Sequence, residues 1–344
     1  MANSAHMALR GGKSFVSAQQ VAERAGVSRS AVSRTFTPGA SVSEPTRRKV
    51  LEAAESLGYH VNHLARGLIH ERSGIVCLIA ADLQAPFQAK MLEALTRRLQ
   101  DVDKVPMVIN AAGPSGSVEA ALRQTLNYRA DASVVLSGSP AVSLIDTCIA
   151  NGQHVILINR EDRHPGTEHL IIDNKDAAGR AFDMLRRAGC RHIAIVSSQA
   201  GTSSLVGREQ AFAAAANAGG IPVTLIRAGP TAYATGLDAA RAVLSRADRP
   251  DAAFCVTDLL ACGFMDAARH EFGLRIPEDF CIVGFDDIEQ AGWASYELTT
   301  FRQPIERMAV HIAHLLSAEV PAEPVPKPHY LQAEPVWRRS VRPK

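Results

Sequence analysis

Residues 17–37 read SAQQVAERAGVSRSAVSRTFT, and this stretch sets the organisation of the chain. It predicts two short helices joined by a tight corner. Ser17 caps the first helix, and Gln20 is spaced to return the bond to its amide. Val16 and Val21 stand at the spacing of a hydrophobic staple. Val21, Ala22 and Ala25 form an apolar stripe, and Gly26 stops the helix where the backbone needs freedom from a Cβ. Ser28 restarts a helix that turns Ala31, Val32 and Phe36 inward and leaves Arg29, Ser30, Ser33 and Arg34 outside. Arginine and serine on the open face of a short helix suit the major groove of DNA, where guanidinium groups reach guanine edges or phosphates. The same spacing also fits a plain three-helix cap with a solvated face.

Charge distribution separates these two readings. The 344 residues carry a net charge of only +2, but residues 1–72 hold +5, which leaves −3 for the remainder. A basic head on a mildly acidic body is the footprint of a DNA-binding module joined to something else. At 47% hydrophobic and 21% charged, the chain can build two or three cored domains. Its six cysteines lie in apolar context with no Cys-x-x-Cys pair, which predicts buried, reduced thiols rather than disulfides or metal ligands. No basic-then-apolar leader opens the sequence, and no apolar run approaches about 18 residues; the expectation is a cytoplasmic protein with no membrane partner.

Ser43 to Leu57 predicts a third helix, with Ser43 as cap, Pro45 in the first turn, Val50, Ala54 and Leu57 inward, and Gly58 as the stop. Arg47, Arg48 and Lys49 lie near its start, placed for phosphate contact. The segment YHVNHLARGLIHERSG (59–74) that follows is polar and basic. VAERAGVSRSAVSR, VSEPTRRKVLEAAESLGY and the run from Asn62 to Leu68 together resemble the headpiece and hinge of LacI/GalR-family transcriptional regulators. The resemblance implies a hinge helix that forms on operator DNA and wedges a leucine into the minor groove. Leu68 falls at that leucine's place and Ala65 at its small neighbour's, while Arg66 can read groove width. Val61 replaces the proline usual at hinge entry.

From Gly74 onward the pattern alternates strand and helix. GIVCLIAAD is a continuous apolar strand of the kind buried on both faces. VPMVINA, ASVVLSG and HVILINR follow, then a second series opens at HLIIDN and continues through HIAIVSS, PVTLIRAG, AAFCVTD and FCIVGFDD. Two runs of βα units predict two parallel-sheet subdomains. No Gly-x-Gly-x-x-Gly follows the first strand and no Walker lysine is present, which disfavours a nucleotide fold. The body also resembles the LacI/GalR family, in PF after the first strand, INR, DN, the R-x-x-x-F pattern from Arg208 to Phe212, RPDAAFCVTDLLACG, IPEDFCIVGFDD and LTTFRQP. The whole fold then reads as a three-helix helix-turn-helix headpiece on an α/β, periplasmic-binding-protein-like body. The expected boundaries are 14–60 for the DNA-binding domain, 61–73 for the hinge and 74–344 for the effector-binding and dimerisation domain. Within the body, the N-subdomain spans about 74–160 and 288–318, and the C-subdomain about 161–287 and 319–344.

Ligands of parallel sheets bind at the carboxyl ends of strands. The resemblance implies a small effector clamped between the two lobes, with Phe87 as a stacking face, Arg160 and Arg208 as donors, and Asp258 as acceptor for vicinal hydroxyls. Arg208 could instead pair with an acid, and Asp258 could instead cap a helix. Asp286 and Asp287 read as structural, shaping the interlobe crossover. Gln88 and Thr231 stand where the family often has aromatics, with Tyr233 two residues on as a substitute, and Thr257 replaces a usual Asn. So polar a cleft points to a sugar acid or similar polar metabolite as effector, rather than a hexose. The expectation is a homodimeric, ligand-controlled repressor on operator DNA, without catalytic residues, cofactor or metal. A solute-binding receptor is the alternative. An enzyme is disfavoured, because His154, His164, His192 and His270 have no nucleophile or metal-ligand spacing around them.

Overall fold

A computed structural model of the chain describes residues 15–37, 39–60, 72–112, 117–160, 164–317 and 328–343. They fall into two compact units, Met1–Ser73 and Gly74–Lys344.

In the first unit, α1 (Ala18–Ala25), α2 (Arg29–Thr35) and α3 (Glu44–Leu57) close a small core. Ser17 and Gln20 form the expected capping box: Ser17 Oγ accepts from the Gln20 amide at 3.3 Å, and Gln20 Oε1 accepts from the Ser17 amide at 2.8 Å. Gly26 ends α1 at φ +66°, and its N–H returns to the carbonyls of Ala22 and Glu23. Val21, Val32 and Val50 are completely buried, each contributing about 1.5–3 kcal/mol. Phe36 and Tyr59 meet at 5.6 Å between ring centres and seal one side of this core. Ser43 sits at the start of α3, but its hydroxyl donates to Thr46 Oγ1 at 2.8 Å instead of capping the backbone. Pro45 has removed one of the amides that a cap can serve.

The second unit contains two parallel sheets. The larger runs in the order β11-β5-β4-β3-β1-β2, from β1 (Ile75–Ala80), β2 (Val105–Asn110), β3 (Ala132–Val135), β4 (His154–Ile158), β5 (Thr167–Ile172) and β11 (His329–Leu331). The smaller runs β7-β6-β8-β9, from β6 (Ile193–Ser198), β7 (Val223–Ala228), β8 (Ala252–Cys255) and β9 (Cys281–Val283). Central strands β1, β6 and β8 are buried along their whole length, as unbroken apolar runs require. A two-stranded ribbon, β10 (Thr300–Arg302) with β12 (Glu334–Val336), accompanies the chain between the lobes.

The subdomain division differs from the sequence reading at two strands. β5, the HLII strand assigned to the second subdomain, pairs in parallel with β4 of the first sheet. The connection between them is short and has no helix in its described part, whereas parallel neighbours are commonly joined through one. Residues 329–331, also expected in the second subdomain, extend the first sheet beyond β5. Only the last segment returns to the second sheet, where Ser340 Oγ donates to the Ile282 carbonyl at 2.6 Å.

Candidate functional site

Two sites were expected, one in each unit. In the first, Arg29, Ser30, Ser33 and Arg34 are all exposed on α2, while Ala31, Val32 and Thr35 are buried behind them. Ser28 Oγ accepts from the Ala31 amide at 3.2 Å, so this serine sets the start of the helix. Ser17 does the same for α1. Arg34 Nε donates to the Ser30 carbonyl at 3.4 Å, which lays its guanidinium along the helix face. Arg48 and Lys49 are exposed, but Arg47 Nη1 donates to the Thr35 carbonyl at 3.1 Å and ties α3 to the end of α2. Ala65, Arg66 and Leu68, the expected hinge contacts, lie outside the described residues.

In the body, strand ends converge as parallel sheets predict, and several turn through left-handed backbone. Asp82 (φ +52°), Asn159 (+55°), Asp286 (+121°) and Asp287 (+53°) follow β1, β4 and β9. Such conformations are uncommon outside glycine and gather where function needs them. On the first lobe, Phe87 is half-buried against the main core. Gln88 Nε2 donates to Ser137 Oγ at 2.8 Å, and its Oε1 is buried without a partner among the described residues. Arg160 is buried, with Nη1 donating to the Gly138 carbonyl at 2.8 Å and its own carbonyl accepting from His169 Nδ1 at 3.2 Å.

The second lobe holds a buried ionic centre. Arg208, only 3% exposed, donates through Nε to Asn174 Oδ1 (3.2 Å) and through Nη1 to the Val256 carbonyl (2.9 Å) and Asp286 Oδ1 (3.3 Å). Its guanidinium lies over the Phe285 ring at 3.6 Å. Asp286 Oδ1 also accepts from Gln303 Nε2 at 2.6 Å. Burial pushes the Asp286 carboxyl up to about 6, against the pull of Arg208 and Gln303. Burial lowers Arg208, against the pull of Asp286 and Asp258. Among the described residues, no hydrogen bond occupies Nη2 of Arg208 or Oδ2 of Asp286. Thr257 Oγ1 and Gln303 Oε1 are buried without partners. This pair can therefore offer a donor and an acceptor side by side.

Two expected effector contacts are held elsewhere. Asp258 is completely buried, and both its oxygens are taken: Oδ1 by the Thr300 hydroxyl (2.6 Å) and Oδ2 by the Ile288 amide (3.0 Å). It braces the crossover, and Gly284 is fixed by it, since a Cβ there would sit 2.2 Å from Asp258 Oδ1. Burial, with Asp286 adding to it, raises the Asp258 carboxyl to about 7. The helix cap is Thr257, one residue earlier. Tyr233 donates to Asp266 Oδ2 at 2.5 Å beside Tyr296, which also donates to that oxygen at 2.8 Å. That bond, with burial adding to it, raises the Tyr233 phenol to about 12. Asp287 is structural, as read: burial raises it, but Arg338 and Arg302 outweigh that and hold it below the usual carboxylate range.

Asn174, Thr257, Asp286 and Gln303 thus belong with Arg208, and the sequence reading did not select them. The signal for Asp286 was its place after β9, but the adjacent Asp287 made both read as crossover residues. Among the described residues no set of three or more His, Cys, Asp or Glu could hold a metal, and no helix is long and apolar enough to cross a membrane.

Comparison with known proteins gives two domain matches. Residues 18–62 match the bacterial regulatory proteins, lacI family, and residues 182–341 match the periplasmic binding protein-like domain. The HTH-type transcriptional repressor PurR of Yersinia pestis bv. Antiqua (strain Antiqua) is 28% identical over 328 residues, spanning 94% of this chain and 96% of the relative. The crystal structure of the Lac repressor dimer bound to operator and the anti-inducer ONPF superposes with a TM-score of 0.83 at 22% identity, covering 95% of this chain and 99% of that one. The transcriptional regulator CelR–cellobiose complex gives 0.67 at 27% identity over 94% and 99%. The chain thus carries a lacI-family regulatory domain and a periplasmic binding protein-like domain, and it is similar along nearly its whole length to the repressor PurR.

Proposed function

We propose that this chain is a sequence-specific DNA-binding repressor, working as a homodimer on operator DNA and controlled by a small polar effector. The observation that carries the reading is the α2 face: Arg29, Ser30, Ser33 and Arg34 stand free of the core on a helix whose start is fixed by Ser28. Arg29 and Arg34 take guanine edges or phosphates, the serines take either, and Ser17 sets α1 against the backbone. In this reading residues 14–60 bind DNA, 61–73 form the hinge through Ala65, Arg66 and Leu68, and 74–344 bind effector and dimerise.

The effector is a sugar, a sugar acid or a similar polar metabolite, held between the lobes. Arg208 and Asp286 supply a donor and an acceptor for neighbouring hydroxyls, Arg160 and Gln88 add contacts from the first lobe, and Phe87 offers a ring face. Control follows if the effector prefers one lobe arrangement, because only differential affinity for two states shifts their balance. The name of PurR and the operator in the Lac repressor complex support repression; the cellobiose in the CelR complex supports a carbohydrate-like effector. The test is electrophoretic retardation of the DNA upstream of its own operon, with and without a panel of sugars and sugar acids. Salt-sensitive, sequence-selective retardation that one panel member alters is the expected result.

A further inference from the structure

Strand β5, TEHLII, is apolar in its last three residues but carries two polar side chains into the interior of the first lobe. Thr167 is 1% exposed and His169 2%. A leucine at 169 would pack there without the desolvation that an imidazole suffers, so the bonds of the ring have to offset that cost. Both ring nitrogens are engaged: Nδ1 lies 3.2 Å from the Arg160 carbonyl and Nε2 lies 2.8 Å from Thr167 Oγ1. A carbonyl can only accept, so Nδ1 carries a proton. In a neutral ring Nε2 then accepts, and the Thr167 hydroxyl donates to it. That hydroxyl also lies 2.8 Å from the His164 carbonyl, which keeps the Thr167 amide at 3.2 Å when the hydroxyl turns to the ring.

The strand grips the turn after β4 at three points. Asn159, at φ +55°, donates its amide to the Leu170 carbonyl at 2.8 Å and accepts the Ile172 amide on Oδ1 at 3.0 Å. Those two bonds fix Asn159. The His169 ring reaches one residue further, to the backbone of Arg160, whose guanidinium then crosses to the Gly138 carbonyl beyond the end of β3. Arg160 is thus located at both ends, its backbone by His169 and its head by Gly138. A group that binds a ligand has to be held within about 0.5 Å of its productive place by the residues behind it. We propose that His169 is a positioning residue of the effector site: its Nδ1 proton holds the Arg160 backbone and so sets where the Arg160 guanidinium meets the effector. This rests on the reading above, that Arg160 contacts the effector from the first lobe. His169 acts through Arg160 and does not touch the ligand itself.

The test has two arms, both on the full-length protein. The first reads the ring nitrogen shifts of histidine-labelled protein at neutral pH, with H169N identifying the signals of His169. A proton on Nδ1 is expected; a bare Nδ1 overturns the proposal, whatever the effector is. The second arm takes the sugar or sugar acid that most raises the melting temperature of the wild type in a thermal-shift panel, and measures its binding by calorimetry. H169L fills the same space without a donor and is expected to bind about tenfold more weakly, the effect of one lost buried hydrogen bond. H169N puts an amide N–H where Nδ1 stood and is expected to stay within about threefold of the wild type. Equal affinity in H169L, or an equal loss in H169L and H169N, overturns the positioning role and leaves the effector reading standing. If no sugar or sugar acid stabilises the wild type, the effector reading itself fails and the role of His169 falls with it.

Discussion

Arg208 Nη1 stands 3.3 Å from Asp286 Oδ1 with both side chains more than nine-tenths buried, so two opposite charges share a site that neither could occupy alone. The pair joins the second turn of the helix Ser203–Ala218 to the strand end that leads into the crossover. Removing one partner leaves the other buried and uncompensated, which costs about 3–5 kcal/mol.

That arrangement gives the first prediction. D286N keeps the Gln303 and Arg208 contacts in shape but weakens the acceptor. Calorimetric affinity for the effector found by screening is expected to fall at least tenfold, about 1.4 kcal/mol, while operator binding without effector persists. An unchanged effector affinity removes Asp286 from the site.

A second prediction concerns pH. Asp258 is raised to about 7 and Asp286 to about 6 by burial. A carboxyl raised above its unfolded value of about 3.9 favours the folded state fully at low pH and loses that contribution as pH rises through the folded value. Groups held low, such as Asp279 and Glu271, act below the ordinary carboxylate range and do not offset this window. The body is therefore expected to lose roughly 4 kcal/mol between pH 5 and 8, about 3 from Asp258 and about 1 from Asp286. D258N should flatten that slope in denaturant melts, since an amide can still accept from Ile288 and donate to Thr300. D258A leaves both of those groups unpaired and should destabilise by about 2–5 kcal/mol at any pH.

The headpiece offers a third. Replacing Ser17 by Ala removes one half of a capping box and should lower headpiece stability by about 1 kcal/mol, read from helix signal in a thermal melt. The body's own transition should not move.

How much of this the sequence disclosed follows from how local each feature is. Ser17, Gln20, Gly26 and Ser28 act within one turn of their neighbours, so caps, stops and the exposed face of α2 were legible residue by residue. Most strands were legible too, because a parallel strand buried on both faces is a continuous apolar run. β5 was read as a strand but placed in the second series, because the link to β4 is too short to suggest a parallel neighbour, while β10, β11 and β12, three residues each, had little pattern to read. Within the cleft, Arg208 was found through the R-x-x-x-F pattern that ends at Phe212, inside the helix Ser203–Ala218. The bracing of Asp258 was not legible, because its partners, Thr300 and Ile288, lie 42 and 30 residues away and no spacing rule announces them. The bond from the Tyr233 hydroxyl to Asp266, 33 residues away, was hidden for the same reason.

The central claim is that the Arg29–Arg34 face of α2 reads duplex DNA. Its most direct test is a fluorescence-anisotropy titration of labelled upstream DNA at several salt concentrations, comparing wild type with R29A/R34A. The account predicts that the double variant binds 10- to 100-fold more weakly, about 1–3 kcal/mol, with a shallower salt slope and an unchanged body melt. Equal affinity and equal salt slope for the two proteins would contradict it.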